Sequence, residues 1–174
     1  MESLRVVVTG TVGAGKSTFV RTASEIEVIE IERTATDETA LSKKTTTVAF
    51  DFGRLTIGSN MPVHLYGTPG QDRFDFMWDI LIKGAHAYIL LVAANQPDGF
   101  NYAREIFSFM NQRVQVPMMI CLTHMDCPGA WTPDEIMRTL GPINEQNKPP
   151  IIPVNPNNRT SVVEALSILT ELFA

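Results

Sequence analysis

The chain has 174 residues, of which 44% are hydrophobic and 19% charged, with a formal net charge of −5. That length supports one packed core and is short for two, so residues 1–174 are expected to form a single domain. The mildly acidic balance leaves no basic footprint for nucleic acid, and no apolar run reaches the length of a membrane span.

Leu4–Thr9 reads as a first strand and Lys16–Ala23 as an amphipathic first helix. Ser24 to Thr46 is a polar connection rich in Thr, Glu and Lys without a firm period, of a length that marks a functional or mobile segment. Thr47–Ile57 and Met61–Tyr66 read as strands joined by Gly58-Ser59-Asn60, a hairpin. A helix over Asp72–Lys83 follows. Ala87–Ala93 and Met118–Thr123 are short continuous apolar runs, expected of strands covered on both faces. Between them Ala103, Ile106, Phe107 and Met110 recur at helical spacing. Thr132-Pro133-Asp134-Glu135 and Ser161-Val162-Val163-Glu164 have the form of capping boxes, Ile151–Asn155 is a weaker last strand, and Leu166, Leu169 and Leu172-Phe173 give the final helix its core stripe. The alternation predicts an α/β fold in three layers, with a six-stranded, mostly parallel sheet and one antiparallel edge strand from the hairpin. Ligands of such sheets sit at the carboxyl ends of the strands.

Gly10-Thr11-Val12-Gly13-Ala14-Gly15-Lys16-Ser17 occupies that end. It fits G-x-x-x-x-G-K-[ST] at every fixed position and lies between a strand and a helix, the setting in which the pattern binds phosphate. Gly10, Gly13 and Gly15 let the loop curl, and the backbone amides from there through Ala14 to Ser17 and Thr18 point inward as an anion nest at the positive end of the helix. Lys16 is placed to reach terminal phosphates, and the Ser17 hydroxyl to ligate Mg²⁺.

Alternation in Thr47-Val48-Ala49-Phe50-Asp51-Phe52 puts Val48, Phe50 and Phe52 on one face and Thr47 and Asp51 on the other. A carboxylate flanked by two Phe is costly unless a partner or an ion satisfies it, or unless the strand is an edge and Asp51 faces water. His64 and His86 lie in or beside apolar strands with no second ligand at metal spacing, and read as structural. Cys121 lies inside an apolar run and reads as a buried thiol. Cys127 follows that run.

Gly67-Thr68-Pro69-Gly70-Gln71 resembles the D-x-x-G-Q segment of Ras-like small GTPases, and Thr123-His124-Met125-Asp126 resembles their [NT]-K-x-D segment. The resemblance implies a small GTPase (G) domain that binds GTP or GDP with Mg²⁺ and hydrolyses GTP slowly, on the order of 10⁻⁴–10⁻² s⁻¹. Gly70 matches the glycine whose amide meets the γ-phosphate, and Gln71 the glutamine that orients the attacking water. Asp126 matches the carboxylate that accepts from guanine N1 and N2, Thr123 is a known alternative to Asn, and His124 replaces the lysine whose stem lies along the base. Asn155, in Val154-Asn155-Pro156, falls where relatives touch the base, although an Asn-Pro turn explains the same residues.

Gly67 stands where the family has its metal-shell aspartate. A prokaryotic, MglA-like branch of small GTPases lacks that aspartate and carries a Phe-Asp-Phe strand with a Thr four residues earlier. Thr47 with Phe50-Asp51-Phe52, and Pro69-Gly70-Gln71, resemble it. This implies metal ligation by Ser17, Thr47 and Asp51, with Thr47 also sensing the γ-phosphate. The arginine that precedes the threonine in that branch is Thr46 here, and neither Arg54 nor Arg73 is in its register.

The stretches from Asp51 to Arg54 and from Gly67 to Phe74 look like bacterial relatives encoded beside roadblock-fold regulators, which suggests such an activator as a partner, with effectors at the switch loops. Phe74, Trp78 and Leu81 form a core stripe, and Phe76 and Ile80 fall nearly opposite, either as a docking face or as a second layer of core. A nucleotide-loaded scaffold without hydrolysis is an alternative class. A P-loop kinase is a more remote one, since no Arg-rich lid segment is found. Met1-Glu2-Ser3 lacks the features of a signal peptide, Glu2 is not a myristoylation glycine, and the last residues hold no Cys to prenylate. No lipid anchor and a cytoplasmic location are therefore expected.

Overall fold

A computed structural model of the chain describes residues 3–37, 44–68, 84–113, 116–141 and 148–173. In chain order these hold β1 (Leu4–Gly10), α1 (Lys16–Ala23), β2 (Ile29–Asp37), β3 (Lys44–Ile57), β4 (Met61–Gly67), β5 (Ala87–Ala93), a 3₁₀ turn (Pro97–Gly99), α2 (Phe100–Arg113), β6 (Met118–Thr123), α3 (Pro133–Thr139), β7 (Ile151–Pro153) and α4 (Arg159–Glu171). The expected helix over 72–83 lies outside the described residues, as do Phe74, Phe76, Trp78, Ile80 and Leu81.

The strands form one seven-stranded sheet in the order β2-β3-β4-β1-β5-β6-β7. β4, β1, β5, β6 and β7 run parallel, β3 is antiparallel to β4, and β2 is antiparallel to β3. This corrects the expectation of six strands. The polar stretch from Ser24 to Thr46 contains β2, whose Thr- and Glu-rich sequence is held as a strand by pairing with β3 from Ile29↔Phe52 to Asp37↔Lys44. β3 is therefore not an edge, and β2 takes that place.

One side of the sheet packs Val6, Val8, Val63 and Leu65 against Phe19 and Val20 of α1 and Val162, Leu166 and Leu169 of α4. The other packs Val7, Tyr88, Leu90 and Val92 against Phe100, Ala103, Ile106 and Met110 of α2. Every residue of β5 and β6 is buried, which accounts for their unbroken apolar runs. Burial pushes the Cys121 thiol well above its usual range, so it stays protonated.

Helix starts follow local chemistry, with one correction. Thr132 caps α3, its hydroxyl accepting from the Glu135 amide at 3.3 Å. The expected box at Ser161 is not the start of α4. Asn158 caps it, its Oδ1 accepting from the Ser161 amide at 3.0 Å, and Ser161 lies one turn inside. Among the described residues no helix is long and apolar enough to cross a membrane.

Candidate functional site: a phosphate-loop cavity at the strand ends

The strand β1 ends at Gly10 directly against β5. A Cβ there would lie 2.2 Å from the Leu91 carbonyl oxygen, far inside van der Waals contact, so only glycine permits this approach. The loop then turns tightly, with the Ala14 amide donating to the Thr11 carbonyl at 3.1 Å and left-handed backbone at Gly13 (φ 77°) and Gly15 (φ 98°). Gly15 is the N-cap of α1 and offers no side-chain acceptor, so the first helical amides remain available to an anion. The largely buried Lys16 folds back over the loop, its Nζ donating to the Gly10 carbonyl at 2.8 Å.

Two residues from distant strands complete this end. The Ser17 hydroxyl donates to Asp51 Oδ2 at 3.0 Å. Asp51 is half-buried and points toward α1, where it lines the cavity. In the β3–β4 ladder Asp51 pairs directly with Gly67, the position where the small-GTPase pattern has its aspartate. A Cβ on Gly67 would come within 3.2 Å of Val20 Cγ2 and 3.4 Å of Asp51 Cβ. The side chain of Asp51 thus stands beside the space a Gly67 side chain would fill. Ser17 and Asp51 present a hydroxyl and a carboxylate, the hard oxygen donors that Mg²⁺ prefers, so this pair fits the ion.

The second loop over the cavity follows β6. The buried Thr123 hydroxyl donates to the Ala14 carbonyl at 2.8 Å, tying this loop to the phosphate loop across 109 residues of sequence. His124 has left-handed backbone (φ 60°), uncommon for a residue with a Cβ, and its Nδ1 lies 3.0 Å from the Thr123 hydroxyl. Asp126 is exposed at the cavity wall. Asn155 lines the same wall, but its Oδ1 accepts from the Asn157 amide at 3.1 Å and its amide donates to Ser161 Oγ at 3.0 Å, the turn chemistry of an Asn-Pro segment.

Together these residues enclose a cavity of about 1090 Å³. Of the candidates, Gly13, Gly15, Lys16, Ser17, Thr18, Asp51, His124, Asp126 and Asn155 line it. Gly10, Ala14 and Thr123 act behind it, through the carbonyls and the hydroxyl just described. Thr47 lies in β3 opposite Thr34, and nothing is described of its side chain. Gly70 and Gln71 lie outside the described residues. The lining residues that the sequence does not single out include Thr68, buried at the end of β4, and Glu30 in β2, the cross-strand partner of Asp51. The first was hidden as an unassigned letter between Gly67 and Pro69, and the second lay in a strand that had not been recognised.

His64 and His86 have structural partners. Ser3 Oγ lies 3.2 Å from His64 Nδ1, and His86 Nδ1 accepts from the Arg5 amide at 2.9 Å.

Comparison with known proteins bears on the family and the fold. Residues 26–169 match a family model described as "Conserved hypothetical ATP binding protein", a match that begins beyond the phosphate loop. An uncharacterised protein of Methanocaldococcus jannaschii, MJ1339, is 30% identical over 95 residues, which are 55% of this chain and 54% of that protein. The match thus spans about half the length of that curated relative. Among solved structures, the Arl6 BBS3 small GTPase from Trypanosoma brucei with bound nucleotide analogue GppNp superposes with a TM-score of 0.70 at 20% identity, covering 98% of this chain and 97% of that one. The fold is that of a Ras-like P-loop G domain.

Proposed function

Since the chain belongs to the family described as conserved hypothetical ATP binding proteins, we propose that it is a P-loop nucleotide switch of the small-GTPase type, resembling the MglA-like branch. It would bind GTP or GDP, hydrolyse GTP slowly and report the nucleotide's state to regulatory and effector proteins. The observation that carries this reading is the shared cavity, which brings Lys16, Ser17 and Asp51 to one end and Asp126 to the other.

In this reading the amides of residues 13–18 and the Lys16 ammonium hold the phosphates. Ser17, Asp51 and Thr47 would hold Mg²⁺, which when bound neutralises charge on the β- and γ-oxygens. Asp126 accepts from guanine N1 and N2, and the His124 ring lies along the base where the family uses a lysine stem. Gln71 orients a water for in-line attack on the γ-phosphorus, and the segments around Thr47 and Gly70 lose their γ-phosphate contact once it leaves. Its regulator in this reading is a roadblock-fold activator.

The family's description supports a second reading, with adenine as the base. Titration of the purified chain with fluorescent GDP and ADP in magnesium separates the two. At least tenfold tighter GDP binding is expected, and equal or tighter ADP binding overturns the guanine assignment. Single-turnover GTP cleavage should fall at least about tenfold in Gln71→Ala, with GDP affinity unchanged. Equal rates would leave a nucleotide-loaded scaffold as the better description.

A further inference from the structure

The Thr123 hydroxyl has one proton to give and three polar neighbours. Ala14 and Val92 present carbonyl oxygens, at 2.8 and 3.5 Å, and His124 presents Nδ1 at 3.0 Å. A carbonyl only accepts. Ala14 and Val92 are both fully buried, so giving the proton to His124 would leave the closer carbonyl without this donor where water cannot replace it. The proton therefore goes to Ala14, and toward His124 the Thr123 oxygen accepts. That fixes the imidazole: Nδ1 carries a proton, and in the neutral ring Nε2 is the acceptor.

The series of donors continues past Ala14. The Ala14–Gly15 peptide is planar and trans, so the Gly15 N–H points opposite to the Ala14 carbonyl. Thr123 and Ala14 lie behind the cavity wall, whereas Gly15 and His124 line it. With the carbonyl drawn back onto Thr123, the Gly15 amide is turned toward the phosphate cradle. His124 Nδ1–H, Thr123 O–H and Gly15 N–H thus stand in sequence. Each bond polarises the next, and the last proton faces the anion.

We propose that His124 is a positioning residue for the phosphates, acting through Thr123 and Ala14 on the Gly15 amide, in addition to flanking the base. The inference rests on the reading of the cavity as a nucleoside polyphosphate site and adds a coupling between its two ends. A ligand that has phosphates but no base should still sense the residue at position 124.

The probe is inorganic tripolyphosphate with magnesium, titrated calorimetrically into the full chain beside GDP. His124 holds left-handed backbone (φ 60°), which glycine adopts freely and Asn tolerates. His124→Gly therefore removes the donor without straining the loop, and should weaken tripolyphosphate binding about threefold, a small loss beside that of a direct phosphate contact. In His124→Asn the side-chain amide can donate from near the place of Nδ1, and most of that loss should be recovered. Adding His124→Gly to Thr123→Val should cost tripolyphosphate no more than Thr123→Val alone, because the series is already broken. Independently of any ligand, long-range proton–nitrogen correlation of the neutral His124 ring should show Nδ1 protonated and Nε2 bare. Unaltered tripolyphosphate affinity in His124→Gly, no recovery in His124→Asn, a neutral ring protonated at Nε2, or a wild type that binds GDP but not tripolyphosphate would overturn this inference and leave the nucleotide reading standing. A wild type that binds neither ligand would overturn the reading on which it rests.

Discussion

The two ends of the cavity are built differently. At the phosphate end Lys16, Ser17 and Asp51 are already interlocked, Lys16 with the Gly10 carbonyl and Ser17 with Asp51. At the base end Asp126 stands exposed, in a loop held by the Thr123 hydroxyl on the Ala14 carbonyl, by the left-handed backbone of His124 and by the Cys127 amide on the His124 carbonyl. The first end is preorganised for a charge every nucleoside polyphosphate carries. In the proposed reading the second discriminates between bases, with few groups to do so. Affinity and specificity are therefore separable here, and substitutions at the two ends should fail in different ways.

The largest effect is expected at the phosphate end. Lys16→Ala should weaken GTP and GDP alike by at least about 100-fold, since a charge-assisted hydrogen bond in a largely buried site is worth about 3 kcal/mol. Titration with fluorescent GDP reads this directly, and a loss confined to one nucleotide would contradict the division of labour. At the base end, Asp126→Asn should cost guanine nucleotides about 10- to 100-fold and shift preference toward xanthine, whose additional carbonyl accepts from an amide. Competition between GTP and XTP measures it; an equal loss for both would show that Asp126 does not read the base.

Asp51→Asn sharpens the comparison from the metal side. It should raise the magnesium concentration for half-maximal GTP binding about tenfold, with little change in affinity in EDTA. Adding Gly67→Asp should not restore wild-type behaviour, because its Cβ meets Val20 and the side chain at position 51. An unchanged magnesium dependence in Asp51→Asn would remove Asp51 from the metal shell.

The smallest effect belongs to the tie between the two ends. Thr123→Val leaves the Ala14 carbonyl without its 2.8 Å donor at a buried site. About 1 kcal/mol of stability should be lost, seen as a melting temperature lower by about 2–4 °C. The phosphate loop and the loop after β6 should then tolerate substitution more independently, which a double-mutant cycle with Asp126→Asn can detect.

Much of this was legible in the sequence where chemistry is local. The phosphate loop is a contiguous motif, α1 occupies the expected Lys16–Ala23, and the buried runs 87–93 and 118–123 are strands over the residues their apolar composition indicates. A strand's own pattern could not reveal β2, because a half-exposed Thr- and Glu-rich segment becomes a strand only when β3 offers it a ladder. The start of α4 was misread for a smaller reason: Asn158 and Ser161 are both able caps, and which one caps depends on where the chain leaves β7.

What the sequence determined by itself was the phosphate loop, the α/β alternation and the candidate residues along it, because backbone preference and hydrophobic period act over a few residues. Only the tertiary structure decided that Asp51 meets Ser17, that it stands across from Gly67 and that Thr123 holds Ala14. Each of these joins residues far apart in the chain, and strand register, which places them, is set by the packing of the whole sheet.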